Sequence, residues 1–218
     1  MPIGDMVTRK GVTVKAKVKA LAITYTSSSG TFSYGETITG GTSSATAKIV
    51  HDSGTVLLVR AVTGTFQDAE TITGGTSTAT GTISGTPATA WQSAWVTLAD
   101  VTAPFSTSMN RPVNSITTMD SSEEDPADAI FGVLEMTGSA TFALVPGGTT
   151  FQMMEGAILG NLDVGFYRTQ TDRNGANTRT KYYVGGLSNA DDSDSITDES
   201  TFGVQFRLSD VYDSDPTV

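Results

Sequence analysis

A chain of 218 residues with a formal charge of −10, no cysteine and one histidine has room for one large β domain, or for one domain with a smaller insert. The missing cysteines exclude a disulfide framework, a thiolate nucleophile and a cysteine-based metal site, and the acidity argues against tight binding to a nucleic-acid backbone. No run of about 18 apolar residues occurs to cross a membrane as a helix, and the opening MPIGDMVTRKG lacks the apolar centre of a signal peptide.

Threonine, serine and glycine dominate and only 17% of residues are charged, which favours many short strands with polar outer faces. Charge is unevenly placed. Arg9, Lys10, Lys15, Lys17 and Lys19 lie near the start, while acids crowd 191–199 and 210–215. That distribution suits head-to-tail contact between copies as well as it suits solvated termini.

Val12 to Tyr25 alternates Val12, Val14, Ala16 and Val18 against Thr13, Lys15, Lys17 and Lys19, the period of two that predicts a strand with one apolar and one lysine-studded face. Such lysines either guard a strand edge against strangers or meet an acidic partner. The run breaks at SSSG, Ser27 to Gly30.

An internal repeat follows. GTFSYGETITGGTSSATAKIV from Gly30 is answered by GTFQDAETITGGTSTATGTIS from Gly64, a spacing of 34 residues. Strands over Lys48 to His51 and Val56 to Val62 are joined by a turn at Asp52-Ser53-Gly54. The pairs Gly40-Gly41 and Gly74-Gly75 are expected to supply positive φ at equivalent turns, and Phe32 with Ile38, like Phe66 with Ile72, to build a small core. Regular threonines can template a glycan or an ice surface, but threonine is also the ordinary residue of exposed strands.

Gly85 to Thr89 reads as a linker. Trp91 and Trp95, the only tryptophans, fall on one face of a regular strand and are read as an aromatic seam between domains or subunits, with a sugar platform as the sharper alternative. Pro104 and Pro112 frame a loop. Ser115 to Asp120 is a short strand entering the acidic loop SSEEDPADA, and Ala129 to Val145 is a long strand or a pair broken at Gly138.

Thr149 to Gly160 is the one stretch that reads as a helix. Thr149 and Gln152 stand at capping-box spacing, Phe151, Met154 and Ile158 form an apolar stripe beside Met153 and Ala157, and Gly160-Asn161 supplies a left-handed stop. The strand around Leu162 to Phe166 pairs through the Asn174-Gly175 turn with Thr178 to Val184. Asp191 to Asp198 is an acidic loop, Phe202 to Leu208 the final strand, and the tail SDVYDSDPTV is loose or engaged with a neighbour.

Chemistry is hard to find. His51 sits at a hairpin edge, and no GxSxG, HExxH, P-loop or dinucleotide fingerprint occurs. Acidic pairs at Glu123-Glu124-Asp125 and Asp191-Asp192-Ser193-Asp194 have the residue types of a glycosidase or a calcium site, yet acidic surface loops are far commoner. The expectation is a non-enzyme without cofactor or metal.

From Ser115 onward the order of features resembles the major tail proteins that form the tail tubes of long-tailed bacteriophages. The matching parts are SITTMDSSEEDPAD, VLEMTGSATFAL, the helix TTFQMMEGAILG, then DVGFYRT, TKYYVGGLS and STFGVQFRLSD. The GTF-x-x-x-ETITGGTS repeat looks like short β modules that recur in phage structural proteins. The resemblance implies a mainly β fold, a β-sandwich or barrel-like tube domain flanked by one α-helix, covering 1–26 and 88–218. The small duplicated β module, 27–87, would be an insert on the outer surface, nearer the N-terminus than is usual.

The implied function is a structural virion protein that assembles in the host cytoplasm into stacked hexameric rings. Its partners are itself and other tail proteins, and DNA passes through the lumen without specific binding. Lys15, Lys17, Lys19, Glu123, Glu124, Asp125, Gln152 and Glu155 are the candidate ring-interface residues. The alternative is a virion decoration protein or a receptor- or glycan-binding β protein.

Overall fold

A computed structural model describes residues 12–98, 106–110, 113–116, 128–131, 135–143, 148–171, 178–193 and 201–217. It is mainly β, with one helix among the described residues. The first strand, β1 (Val12–Ser29), is the spine. After it come β2 (Thr37–Gly40), β3 (Thr46–Asp52), β4 (Val56–Thr63), β5 (Thr71–Gly74) and β6 (Thr80–Ile83), which hold the repeat. Then follow β7 (Ala88–Trp91), β8 (Val96–Thr97), β9 (Ser106–Asn110), β10 (Val113–Ile116), β11 (Asp128–Phe131) and β12 (Glu135–Ala143). Helix α1 (Thr149–Gly160) leads into β13 (Asp163–Thr171), β14 (Thr178–Ser193) and β15 (Thr201–Tyr212).

Thirteen strands form one sheet in the order β4-β3-β2-β5-β6-β1-β13-β14-β15-β12-β9, with β7 and β8 also on β1, while β10 and β11 pair separately. Because β4 pairs back onto β1, Leu21↔Val59 to Thr24↔Val56, the six strands β4-β3-β2-β5-β6-β1 close into a ring. Closure removes the edges that short threonine-rich strands would otherwise expose.

Two cores result, and β1 serves both with opposite faces. Val14, Ala16, Val18 and Ala20 are buried with Phe166, Phe206, Met153 and Met154. Further along, Ile23 and Tyr25, of the other parity, are buried inside the ring with Phe32, Ile38, Phe66 and Ile72. The two Phe–Ile pairs therefore share one core. Outside the ring, Thr46↔Thr39, Thr39↔Thr73 and Thr73↔Thr80 place four threonines in register across four strands, leaving a hydroxyl-bearing outer face.

The Gly-Gly pairs act differently from expectation. Positive φ falls at Gly30 and Gly64, and at Ser44 and Thr78, not at Gly40, Gly41, Gly74 or Gly75. Gly40 is needed because a Cβ there would lie 2.6 Å from a Glu70 carboxylate oxygen, and one on Gly74 would lie 2.8 Å from Glu36.

The expected boundary at residue 26 falls inside β1, which crosses it unbroken, and Ala88 and Thr89 of the expected linker are strand paired to β1 at Ala22 and Leu21. Between Pro104 and Pro112, where a loop is expected, β9 pairs with β12. Gly138 does not break β12; it pairs with Phe206, and its missing side chain makes room for that ring, 2.1 Å from where a Cβ would stand. Asp191 to Ser193, expected as loop, are the end of β14, paired with Gly203, Phe202 and Thr201. The calcium-like reading of Asp192-Ser193-Asp194 relies on a loop, and Asp192 and Ser193 are strand residues instead; Asp194 lies outside the described residues.

Helix α1 packs on β14, β3 and β4, burying Met153, Met154, Gly156 and Ala157. Its N-cap is Gly148, with no side-chain cap bond, and the amide of Gln152 donates to the Gly148 carbonyl at 3.0 Å. The Thr149–Gln152 capping box is thus absent, because Thr149 already lies inside the helix. The stop is as expected: Asn161 adopts φ 49°, and its amide and that of Leu162 reach back to Ile158 and Ala157.

Candidate functional site

The lysine face of β1 is where the sequence candidates meet. Across β1, Lys15 pairs with Tyr167 of β13 and Lys19 with Trp91 of β7, so these side chains share one face. Lys15 Nζ stands 5.7 Å from the Tyr167 ring centre, Lys17 Nζ 5.0 Å from Trp95, and Lys19 Nζ 5.8 Å from Trp91. Each distance is within the range of a cation–π contact. Trp95, Tyr167 and Tyr182 pack together, with centroids 5.1 to 6.0 Å apart. Gly165, opposite Lys17, supplies the floor: a Cβ there would touch Trp91 and Trp95 at 3.4 and 3.5 Å.

The residues after β15 lie across this deck as a strap. Lys17 Nζ donates to Thr217 Oγ1 at 3.1 Å, and Trp95 Nε1 donates to Asp215 Oδ2 at 2.9 Å. Asp215 also accepts the Thr217 amide and hydroxyl at 2.8 and 2.5 Å, and Lys181 pairs with Asp213. Burial pushes the Asp215 carboxyl upward, but bonds from Thr217 and Trp95, with Lys17 nearby, hold it below the usual aspartate range. Lys17 is only 5% exposed. An ammonium that deep needs hydrogen-bonding and charge partners, which the strap and the Trp95 face provide.

Two expectations change here. The lysines do not guard an edge, since β1 is paired along both sides, and the tail is held by its own chain. Trp91 and Trp95, both half-buried beneath lysines, form no open sugar platform. The lysine periodicity and the Trp91–Trp95 spacing were both readable in sequence. Their stacking was not, because it depends on the register of β13, β7 and β8.

The other candidates lie apart from the deck. Glu155 of α1 accepts a hydrogen bond from the Tyr34 hydroxyl at 2.6 Å, tying the helix to the loop before β2. Burial, and then that bond, raise the Tyr34 phenol well above its ordinary pKa. Gln152 is half-buried on the same helix, and Glu123, Glu124 and Asp125 lie outside the described residues.

Sequence reading missed a second arrangement, the reciprocal lock of the repeats. Glu36, 6% exposed, accepts the amides of Ser33, Thr76 and Ser77 and the Ser77 hydroxyl at 2.6 to 3.1 Å. Glu70, 4% exposed, accepts the amides of Gln67, Thr42 and Ser43 and the Ser43 hydroxyl at 2.6 to 3.2 Å. Burial alone would raise both carboxyls, but the backbone and serine donors outweigh it and both are depressed. The signal was present as the shared Glu-Thr-Ile-Thr-Gly-Gly-Thr-Ser. What hid it was that each glutamate serves the other copy's turn.

His51 is half-buried; burial lowers its pKa against the opposing pull of Asp52. Among the described residues no group of three or more His, Asp or Glu is placed to hold a metal ion. No described helix is long and apolar enough to cross a membrane.

No protein-family model matches the chain, and no curated protein matches it in sequence. Among solved structures, the chain is similar to a subunit of the SPP1 tail tube, determined by solid-state NMR and cryo-EM. The TM-score is 0.43 at 10% identity, over 55% of this chain and 67% of that one.

Proposed function

We propose that this chain is a structural subunit of a bacteriophage tail, which assembles with copies of itself into stacked, hexameric rings around a channel for DNA. The observation that carries the reading is the asymmetry of the sheet. One end closes on itself through β4 and β1, while the other stops at β9, which among the described residues pairs only with β12. An open polar strand at the end of so large a sheet is satisfied when a neighbour's strand continues it, and a ring satisfies every edge at once.

The element order from Ser115 onward supports the same reading. In it the module of 27–87, whose five strands β2 to β6 close into a ring with β1, is an outer insert, and the protein acts without catalysis, cofactor or metal. The −10 charge of each copy lets DNA phosphates pass a lumen without adhering. Other tail proteins are its further partners, and the virion is its destination after assembly in the host cytoplasm.

Negative-stain microscopy of the purified chain across protein concentration and salt tests this. Rings or tubes are the expected result, and a chain that stays monomeric under every condition overturns it.

A further inference from the structure

Shifting residue numbers by the repeat spacing of 34 maps the closed ring onto itself. The ladder Ile38↔Gly74, Thr39↔Thr73, Gly40↔Ile72 becomes its own reverse, so a twofold axis passes between Thr39 and Thr73. The same shift turns Tyr25↔Ile83, Thr26↔Thr82 and Ser29↔Thr80 into Val59↔Ile49, Arg60↔Lys48 and Thr63↔Thr46. Backbone angles follow: φ is 70° at Gly30 and 81° at Gly64, 75° at Gly35 and 61° at Ala69, and 56° at Ser44 and 57° at Thr78.

The ring is thus two units, 25–50 and 59–84, each a strand, a loop and a hairpin. Within a unit the ladder is that of the hairpin, β2–β3 or β5–β6. What closes the ring runs between units. The first strand of each pairs with the last strand of the other, and β2 pairs with β5. The Gly75 amide donates to the Thr37 carbonyl at 2.9 Å and the Gly41 amide to that of Thr71 at 2.8 Å. A Cβ on Gly30 would stand 3.1 Å from Ala79, and one on Gly64 3.2 Å from Ala45. Glu36 binds Ser77, Glu70 binds Ser43, and Phe32, Ile38, Phe66 and Ile72 share one core.

This is the anatomy of a symmetric dimer, in which residue i meets j and j meets i, written in one chain. One unit alone leaves strand edges, a carboxylate site and an apolar Phe–Ile face unpartnered, and a second unit satisfies all three together.

We infer that the repeat unit is a self-complementary binding element whose partner is another copy of the same unit. The contacts define that partner: a glutamate to accept the Thr-Ser turn, a Thr-Ser turn to hold the glutamate, and Phe and Ile to complete the core. In this chain the neighbouring unit fills the place. A chain with one unit recruits a second copy of itself.

Two in-register deletions of the full chain test this. Removing 50–83 joins Ile49 to Ser84, and removing 30–63 joins Ser29 to Gly64, so neither junction disturbs the repeat. Sedimentation velocity is run below any concentration at which the native chain assembles. Both variants are expected to be folded dimers. Glu36→Ala in the chain lacking 50–83 is expected to weaken its dimer roughly a hundredfold or more, because symmetry removes both locks at once. A mixture of the two is expected to form mixed dimers through Glu36–Ser77 and Glu70–Ser43, and if either variant fails to fold alone, the mixture decides. Chains that stay monomeric both alone and mixed, or a dimer indifferent to Glu36→Ala, overturn the inference.

Discussion

Glu36 and Ser77, 41 residues apart, are joined by two hydrogen bonds: the Ser77 hydroxyl reaches Oε1 at 2.8 Å and its amide reaches Oε2 at 2.9 Å. Glu70 and Ser43 repeat the contact in the opposite sense. Neither copy of the repeat completes its own turn.

Removing either carboxylate leaves buried amides without an acceptor. Glu36→Ala or Glu70→Ala is expected to cost about 2–4 kcal/mol, the range for breaking charge-assisted buried bonds. Urea midpoints of single and double variants measure it. The double variant is expected to cost less than the sum, because both locks hold one ring.

The same pair gives the stability a pH dependence of known sign. Both carboxyls are depressed in the folded chain. Their contribution is therefore complete above the ordinary glutamate range and is lost as pH falls through the folded values. Melting temperatures of the native chain are expected to drop more steeply below about pH 4.5 than those of the Glu36→Gln, Glu70→Gln variant, which has no such proton to take up.

The strap is the second acid-sensitive contact. Asp215→Ala removes the acceptor for Trp95 Nε1 and for Thr217. Tryptophan emission is expected to move to longer wavelength and become more accessible to a quencher, with a stability loss of about 1 kcal/mol. The depressed Asp215 carboxyl predicts that acid loosens the native strap in the same way, and that the variant shows no such transition.

Gly138 faces a packed ring with no room for a methyl group. Gly138→Ala is expected to destabilise by about 1–3 kcal/mol through overpacking against Phe206. Phe206→Leu in the same chain is expected to recover part of the loss, as urea denaturation of the pair would read.

Tyr34 and Glu155 couple the helix to the repeat. Tyr34→Phe is expected to cost about 1 kcal/mol and Glu155→Gln less, with the double variant little worse than Tyr34→Phe alone. Since the partner is intramolecular, Glu155→Lys is expected to lower the stability of the isolated subunit, measured below any concentration at which it assembles.

Much of the fold was legible because local patterns report local geometry. The period of two in Val12 to Val18, the turn at Asp52 to Gly54, the hairpin from Asp163 and the helix ending at Asn161 are each written in a few adjacent residues. The Thr149 cap and the Gly40-Gly41 turn misled for the same reason. Their motifs were present, but the chain entered the helix one residue earlier and the glycines answered to a glutamate from the other copy.

By itself, then, the sequence determined a mainly β chain with one helix, the repeat of 34 residues, and the lysine and tryptophan spacings. Tertiary structure alone decided that β1 serves two cores with opposite faces, that β4 closes back on it, and that Lys17 lies under Thr217 beside Trp95. The reason is physical. Side-chain direction in a strand follows from the local alternation, whereas which strand lies alongside, and at what register, is fixed only when distant segments bury surface together.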